Sequence, residues 1–255
     1  NFFFKYLGIC KRCGHLQIEK KYSTKEYKKI NDDYFTRSYL SQDTDTKEVH
    51  LLKYQKRLEK FKNHMSDQKL DNLKVLDFGA GQGVFANFII NLPSQYYFTE
   101  SSESSIKKLK NIGGIHVEST FDKIINVEKF NNFFDLIIMR HTLEHFINPN
   151  EWLITFKKIL KKKGKIYCIV PNCTDINTLK IKNGFRTDFL RPVHISYFTH
   201  NNFKNIFLLN GFNIIKTDVG AEQLILAENT NNQILTKIEN SYLENLKKIK
   251  QMNSK

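Results

Sequence analysis

Residues 75–83 read Val-Leu-Asp-Phe-Gly-Ala-Gly-Gln-Gly, and no other stretch restricts the fold so strongly. An apolar run turns abruptly into three glycines, and a helical pattern follows from Val84. Glycine lets the backbone take positive φ and approach a bound group where a side chain would clash. A strand, a glycine loop and a helix in that order open the ligand site at the carboxyl edge of many α/β sheets.

The chain around this loop has the matching rhythm. From 71 to 228, short apolar runs alternate with helical patterns, which predicts a mostly parallel sheet with helices on both faces. Candidate strands are Lys74–Phe78, Tyr96–Glu100, Gly114–Val117, Phe134–Met139, Lys165–Val170, Phe212–Asp218 and Gln223–Ala227. Candidate helices are Val84–Asn91, Ser102–Asn111, Pro149–Lys161 and Asn201–Leu209. Pro149 suits a first helical turn, and Gly164 and Gly211 stand where helices hand over to strands. The last two strands are joined only by the residues around Gly220. They predict a hairpin, and hence one antiparallel strand near the end of a seven-stranded Rossmann-like sheet.

Three zones flank it. Residues 1–33 hold a Cys10-Lys11-Arg12-Cys13-Gly14 knuckle. Residues 34–70 form a helical lead-in: Asp45 and Glu48 have capping-box spacing, and Val49, Leu52, Leu58, Phe61 and Met65 recur near helical period. Residues 229–255 are a polar tail whose stripe Leu235, Ile238, Tyr242, Leu246 and Ile249 predicts a helix packed on its own domain.

The loop chemistry narrows the ligand. Its spacing is Gly-x-Gly-x-Gly, with Asp77 two residues before the first glycine. A carboxylate there repels a pyrophosphate but suits an ammonium, such as the amino-acid end of S-adenosylmethionine (SAM). No Gly-Lys-Ser/Thr follows, which excludes a P-loop. Glu100 ends the next strand, where a carboxylate can accept hydrogen bonds from both ribose hydroxyls.

With these pieces, residues 74–228 resemble the class I SAM-dependent methyltransferases. The resemblance is carried by Val75–Gly83, Phe98–Ser102, Phe134–His145 and Ile159–Ile166, with Leu143-Glu144-His145 the most specific segment. It implies that Asp77, Gly79 and Gly81 contact the methionine portion and that Glu100, with Ser101 beside it, holds the ribose. It places adenine against the turn of Ser119, Thr120 and Phe121, where Ser119 replaces the aspartate many relatives carry. Arg140 and His141 are expected beneath the sulfonium end.

A hydroxyl acceptor profits from a base with a pKa near the working pH, which is histidine's natural range. His145 and His194 are the two candidates. The segment Leu190–Thr199 resembles a stretch of sugar C-methyltransferases whose Glu-His pair handles the proton beside the attacked carbon. Val193 stands where that glutamate would be, which disfavours carbanion chemistry and leaves hydroxyl deprotonation. Arg186 and Arg191 can grip a phosphate or carboxylate, and Tyr197 can stack on a sugar or base. The expected reaction is therefore O-methylation of a sugar or nucleotide-activated precursor for a bacterial capsule or surface polysaccharide. Alternatives are N- or C-methylation of a small molecule, RNA methylation, and a non-catalytic SAM-binding module.

Cys10 and Cys13 supply half of a tetrahedral zinc site, which needs four ligands. Some of the same sugar methyltransferases carry an amino-terminal zinc module, so the other knuckle is expected upstream of Asn1 or lost. Charge bears on the RNA alternative. The 255 residues include 40 Lys+Arg and 26 Asp+Glu, a net charge of +14, which is the footprint of a nucleic-acid binder. Yet the lysine pairs are scattered, with no arginine-rich stripe, so a small-molecule acceptor is expected rather than nucleic acid. No run of about 18 apolar residues predicts a membrane span. Four cysteines make no disulfide framework, and the cytoplasm is the expected compartment. Oligomeric state leaves no trace in the sequence.

Overall fold

A computed structural model describes residues 7–18, 22–23, 25–31, 47–119, 125–174, 193–230 and 240–253. In chain order come β1 (Leu7–Ile9), β2 (Leu16–Ile18), α1 (25–31), α2 (Lys47–His64), β3 (Lys74–Phe78), α3 (Ala86–Ile90), β4 (Gln95–Thr99) and α4 (Glu103–Asn111). Next are β5 (Ile115–His116), α5 (Val127–Phe130), β6 (Phe134–Arg140), a 3-10 turn at Leu143–His145, α6 (Pro149–Ile159) and β7 (Leu160–Pro171). Last are β8 (Ser196–Tyr197), α7 (His200–Leu209), β9 (Phe212–Val219), β10 (Glu222–Asn229) and α8 (Tyr242–Asn253).

Seven strands pair in the order β5-β4-β3-β6-β7-β10-β9. Pairing is parallel from β5 to β7, while β10 runs antiparallel to both its neighbours. The fold is thus the expected Rossmann-like α/β sheet with one reversed strand. Successive side chains of a strand point to opposite faces, and here both faces are covered. Leu76 and Phe78 of β3, Ile137 and Met139 of β6 pack with Trp152, Leu153 and Phe156 of α6. Val75, Leu136 and Ile138 face the other way, onto Phe61 of α2 and Ala86 and Ile89 of α3.

Three local expectations change. Helix α6 ends at Ile159 and β7 starts at once, so Gly164 lies inside a strand rather than at a handover. The lysine run belongs to the strand's edge, with Lys161 Nζ 2.8 and 2.9 Å from the Asp135 carboxylate. In α2 only Leu58 and Phe61, with Met65 just beyond the helix, reach the core; Val49 and Leu52 are exposed. Asp45 lies outside the described residues, and so do Leu235 and Ile238, the start of the predicted tail helix.

The amino-terminal segment is not a free-standing unit over its described residues. β1 and β2 form a hairpin whose β2 pairs with β8, making a second sheet in the order β1-β2-β8. The Cys10–Cys13 turn docks against the start of α8. Asn245 Nδ2 donates to the Gly14 carbonyl at 2.9 Å, and Asn202 Nδ2 donates to the Cys13 carbonyl at 2.8 Å. Gly14 sits at φ +76°, and a Cβ there would meet the Ser241 carbonyl carbon at 2.6 Å. Among the described residues no helix is long and apolar enough to cross a membrane.

Candidate active site

The site is assembled where β3, β4 and β6 end side by side. Gly79 and Gly81 take φ of +75° and +55°, which lets the chain leave β3 in a tight turn. The two glycines serve different purposes. A Cβ on Gly79 would meet Thr142 Oγ1 at 2.7 Å, whereas Gly81 faces space with nothing within 4 Å. The end of β4 braces the turn: Gly79 N–H donates to Thr99 Oγ1 at 2.9 Å, and Ala80 N–H to the Thr99 carbonyl at 3.0 Å.

Two carboxylates meet at this loop. Glu100 Oε2 accepts from Gly81 N–H at 2.7 Å, and its Oε1 accepts from the Ser101 and Ser102 N–H groups at 2.8 and 2.9 Å. Three backbone donors therefore fix an exposed-edge carboxylate in one orientation. Asp77 is buried, with Oδ2 accepting from Tyr96 Oη at 2.7 Å. Burial pushes its carboxyl up to about 7; the Tyr96 hydroxyl opposes that rise and the Glu100 charge adds to it. A buried acid beside an open glycine and a backbone-held acid suits a ligand that carries both a cationic amine and a pair of ribose hydroxyls.

On the far side of the loop a second cluster forms. Thr142 Oγ1 donates to the Phe78 carbonyl at 3.2 Å, fastening the segment after β6 to the end of β3. His141 stands at φ +54°, a conformation that strains a residue with a Cβ. Two carboxylates hold it there: Glu222 Oε1 lies 2.7 Å from its Nε2, and Glu144 Oε1 lies 3.3 Å from its Nδ1. Arg140 also pairs with Glu222. Burial would lift both carboxyls, but the His141 hydrogen bonds and the surrounding cations overcome it. Glu144 and Glu222 are each held down to about 2. His141 itself is moved upward, its two carboxylates outweighing burial and Arg140.

The two rival histidines turn out to be neighbours. His145 and His194 have ring centroids 5.0 Å apart at 75°, and the Nε2 of each lies 4.0 Å from Glu144 Oε1. His145 Nδ1 meets the Val193 carbonyl at 2.8 Å, so it carries the proton and Nε2 is left as the basic nitrogen. The buried Tyr27 of α1 donates to the same carbonyl at 2.5 Å. Ile195 N–H donates to the Glu144 carbonyl at 2.8 Å, pinning the His194 segment to the 3-10 turn. Val193 in place of a glutamate therefore does not leave His194 without a carboxylate: Glu144 stands there from another segment, and the argument against carbon acceptors loses its ground.

The remaining expected residues divide. Ser119 is buried just after β5; Thr120, Phe121, Arg186 and Arg191 lie outside the described residues. Tyr197 is buried in β8, with Leu16 and Cys173 in the small sheet's core. Its ring centroid is 6.1 Å from that of His194. This placement makes it a wall behind the histidine, not an exposed platform for an acceptor. Cys10 and Cys13 are half-buried and thiol-bearing, and no third ligand joins them among the described residues. The sequence reading gave no role to Tyr96, Thr99, Glu222 or Tyr27. Tyr96 and Thr99 sit in a strand that announced itself only as apolar. Tyr27 and Glu222 come from segments with no recognisable motif.

Comparison with known proteins agrees with this geometry. Residues 50–217 match the model of the methyltransferase domain family, and the chain belongs to that family. The matching region begins within α2, ahead of the expected boundary at 71. No curated protein matches the sequence. Solved structures share the fold at low identity. One is a Burkholderia thailandensis 1,6-didemethyltoxoflavin-N1-methyltransferase with bound 1,6-didemethyltoxoflavin and S-adenosylhomocysteine. It is 14% identical with a TM-score of 0.59, over 85% of this chain and 96% of that one. A SAM-dependent methyltransferase from Aquifex aeolicus is 16% identical with a TM-score of 0.53, over 75% and 97%. Another from Mesorhizobium loti is 15% identical with a TM-score of 0.53, over 63% and 92%. The protein is a SAM-dependent methyltransferase of the class I fold.

Proposed function

We propose that this methyltransferase modifies a hydroxyl of a sugar or nucleotide-activated sugar in the cytoplasm, in the making of a bacterial capsule or surface polysaccharide. The observation that carries the hydroxyl reading is the convergence of His145, His194 and Glu144, in a segment that Thr142 fastens to the end of β3. SAM supplies a methyl already electrophilic, so what the chain must add is placement and activation of the acceptor. Asp77 and Glu100 hold the amino-acid and ribose ends. An imidazole of the pair accepts the hydroxyl proton, and the ionised Glu144 stabilises the imidazolium that results. Arg186 and Arg191 would grip a phosphate or carboxylate of the acceptor. The sugar itself rests on the resemblance of the 190–199 segment to sugar-modifying relatives.

Methylation of nitrogen is the second reading, favoured by the small-molecule N1-methyltransferase among the similar structures. An amine needs only its lone pair, however, and gives the histidine–carboxylate cluster nothing to do. Incubating the protein with methyl-labelled SAM and separate pools of nucleotide sugars, polysaccharide precursors and total RNA decides the class. Label on an oxygen of a sugar-containing product is the expected result. Label on nitrogen or carbon, or in RNA, overturns the reading.

A further inference from the structure

The arrangement around Glu144 is wider than a proton relay requires. The two 4.0 Å separations are too long for hydrogen bonds. One donor atom each from Glu144, His145 and His194 lies within 4.8 Å of the other two. Two atoms bound to one ion at about 2.1 Å can stand up to about 4.2 Å apart, so a small closing movement brings all three to a common centre. Glu144 is 1% exposed, and its Oε2 has no hydrogen-bond partner among the described residues. An orphaned carboxylate oxygen in a buried site is costly unless a ligand answers it.

The surroundings suit a cation rather than a packed core. The bond from His145 Nδ1 to the Val193 carbonyl sets the tautomer and directs the Nε2 lone pair toward Glu144. His141, hydrogen-bonded to Glu144 Oε1 at 3.3 Å, orients the carboxylate from behind, as groups backing metal ligands do. Two imidazole nitrogens and one carboxylate oxygen form a set preferred by first-row transition ions over magnesium or calcium, and a three-ligand set leaves positions open.

We propose that Glu144, His145 and His194 hold a divalent transition-metal cation whose open positions take two adjacent oxygens of the acceptor, as in a vicinal diol. The choice of acceptor rests on the hydroxyl reading above; the cation site does not. In the loaded protein the imidazoles are ligands instead of proton acceptors. A hydroxyl on the cation is acidified and gives its proton to water, leaving the oxygen as the nucleophile.

Cobalt(II) is the probe, titrated into the full chain carrying Cys10→Ser and Cys13→Ser so that knuckle thiolates cannot take the ion. The expected result is one equivalent bound, with visible bands of a nitrogen and oxygen environment. Glu144→Gln and, separately, His194→Ala should weaken binding by roughly 100-fold or more while SAM affinity, which reports an intact fold, stays within a few-fold. Should Glu144→Gln fail to fold, His145→Gln provides the same comparison. Absence of stoichiometric cobalt, or equal binding by parent and variants, overturns the site. Because no turnover is measured, failure of the sugar reading would leave a positive cobalt result standing, and a negative one would leave the histidine base standing.

Discussion

Asp77 is an acid placed where ionising it is costly. Its carboxyl is pushed up to about 7 from the ordinary 3.8, chiefly by burial. The penalty is absent below about pH 4 and complete above about pH 7, where it reaches on the order of 4 kcal/mol for this group alone. A cationic amine beside it would remove the penalty. SAM affinity should therefore fall as pH is lowered through about 7, and Asp77→Asn should lower affinity at pH 8 while flattening the pH profile; isothermal titration checks both. In the apo chain, Asp77→Asn should raise the melting temperature at pH 8 more than at pH 5. If His194 serves the acceptor hydroxyl as proposed, His194→Ala should cut turnover by about 100-fold or more with SAM affinity nearly unchanged. Residue identity singled out Asp77, Glu100, His145 and His194 as candidates, and the structure sets the first two beside the glycine loop and the last two beside each other. What it hid was pairing: His145 contacts Val193 across 48 residues. Glu144 looked like part of a motif instead of the group between two imidazoles.

Among the elements, strands were the easiest to read. The expected bounds of β3, β6, β9 and β10 lie within a residue or two of the observed ends: β3, β6 and β10 are apolar because both their faces are buried, and β9 alternates because one of its faces is exposed. The misreadings have physical causes. Lys161-Lys162-Lys163 resemble the solvated end of a helix, whereas these residues lie at the amino-terminal end of β7, an interior strand, where Lys161 meets Asp135. The apolar residues of α2 keep helical period throughout, but only those of its second half pack on the core, while Val49, Leu51 and Leu52 stay exposed. α1 carried no signal, since its role depends on one buried hydroxyl. Tyr27→Phe removes the donor to the Val193 carbonyl and should destabilise the chain by about 1–3 kcal/mol. Denaturant unfolding measures that loss, and turnover should drop while SAM affinity holds.

For the whole molecule, the net charge of +14 is the property most easily overread. If the acceptor is a small sugar derivative, KM should change little between 50 and about 200 mM salt. An RNA acceptor would lose affinity steeply over that range, and steady-state kinetics at several salt concentrations separates the two. The docking of the knuckle on α8 is the other global feature, and no pattern announces it because asparagine amides far along the chain donate to the turn's backbone carbonyls. Asn245→Ala should release the turn at 10–14, seen as faster proteolysis there with SAM binding retained.

That contact also has a consequence for the order in which the molecule comes together. Asn245 and Gly14 are 231 positions apart, so their bond closes a loop of that length. The cost of closing a loop rises only slowly with its length, but closure cannot begin until both partners exist. On the ribosome, β1 and β2 emerge before α8, so the bond to Asn245 must wait while the central sheet, and the pairing of β2 with β8, can already form. The knuckle's bond to α8 is therefore a late step, and a nascent chain arrested before residue 240 should hold a formed glycine loop beside a 10–14 turn not yet latched by Asn245.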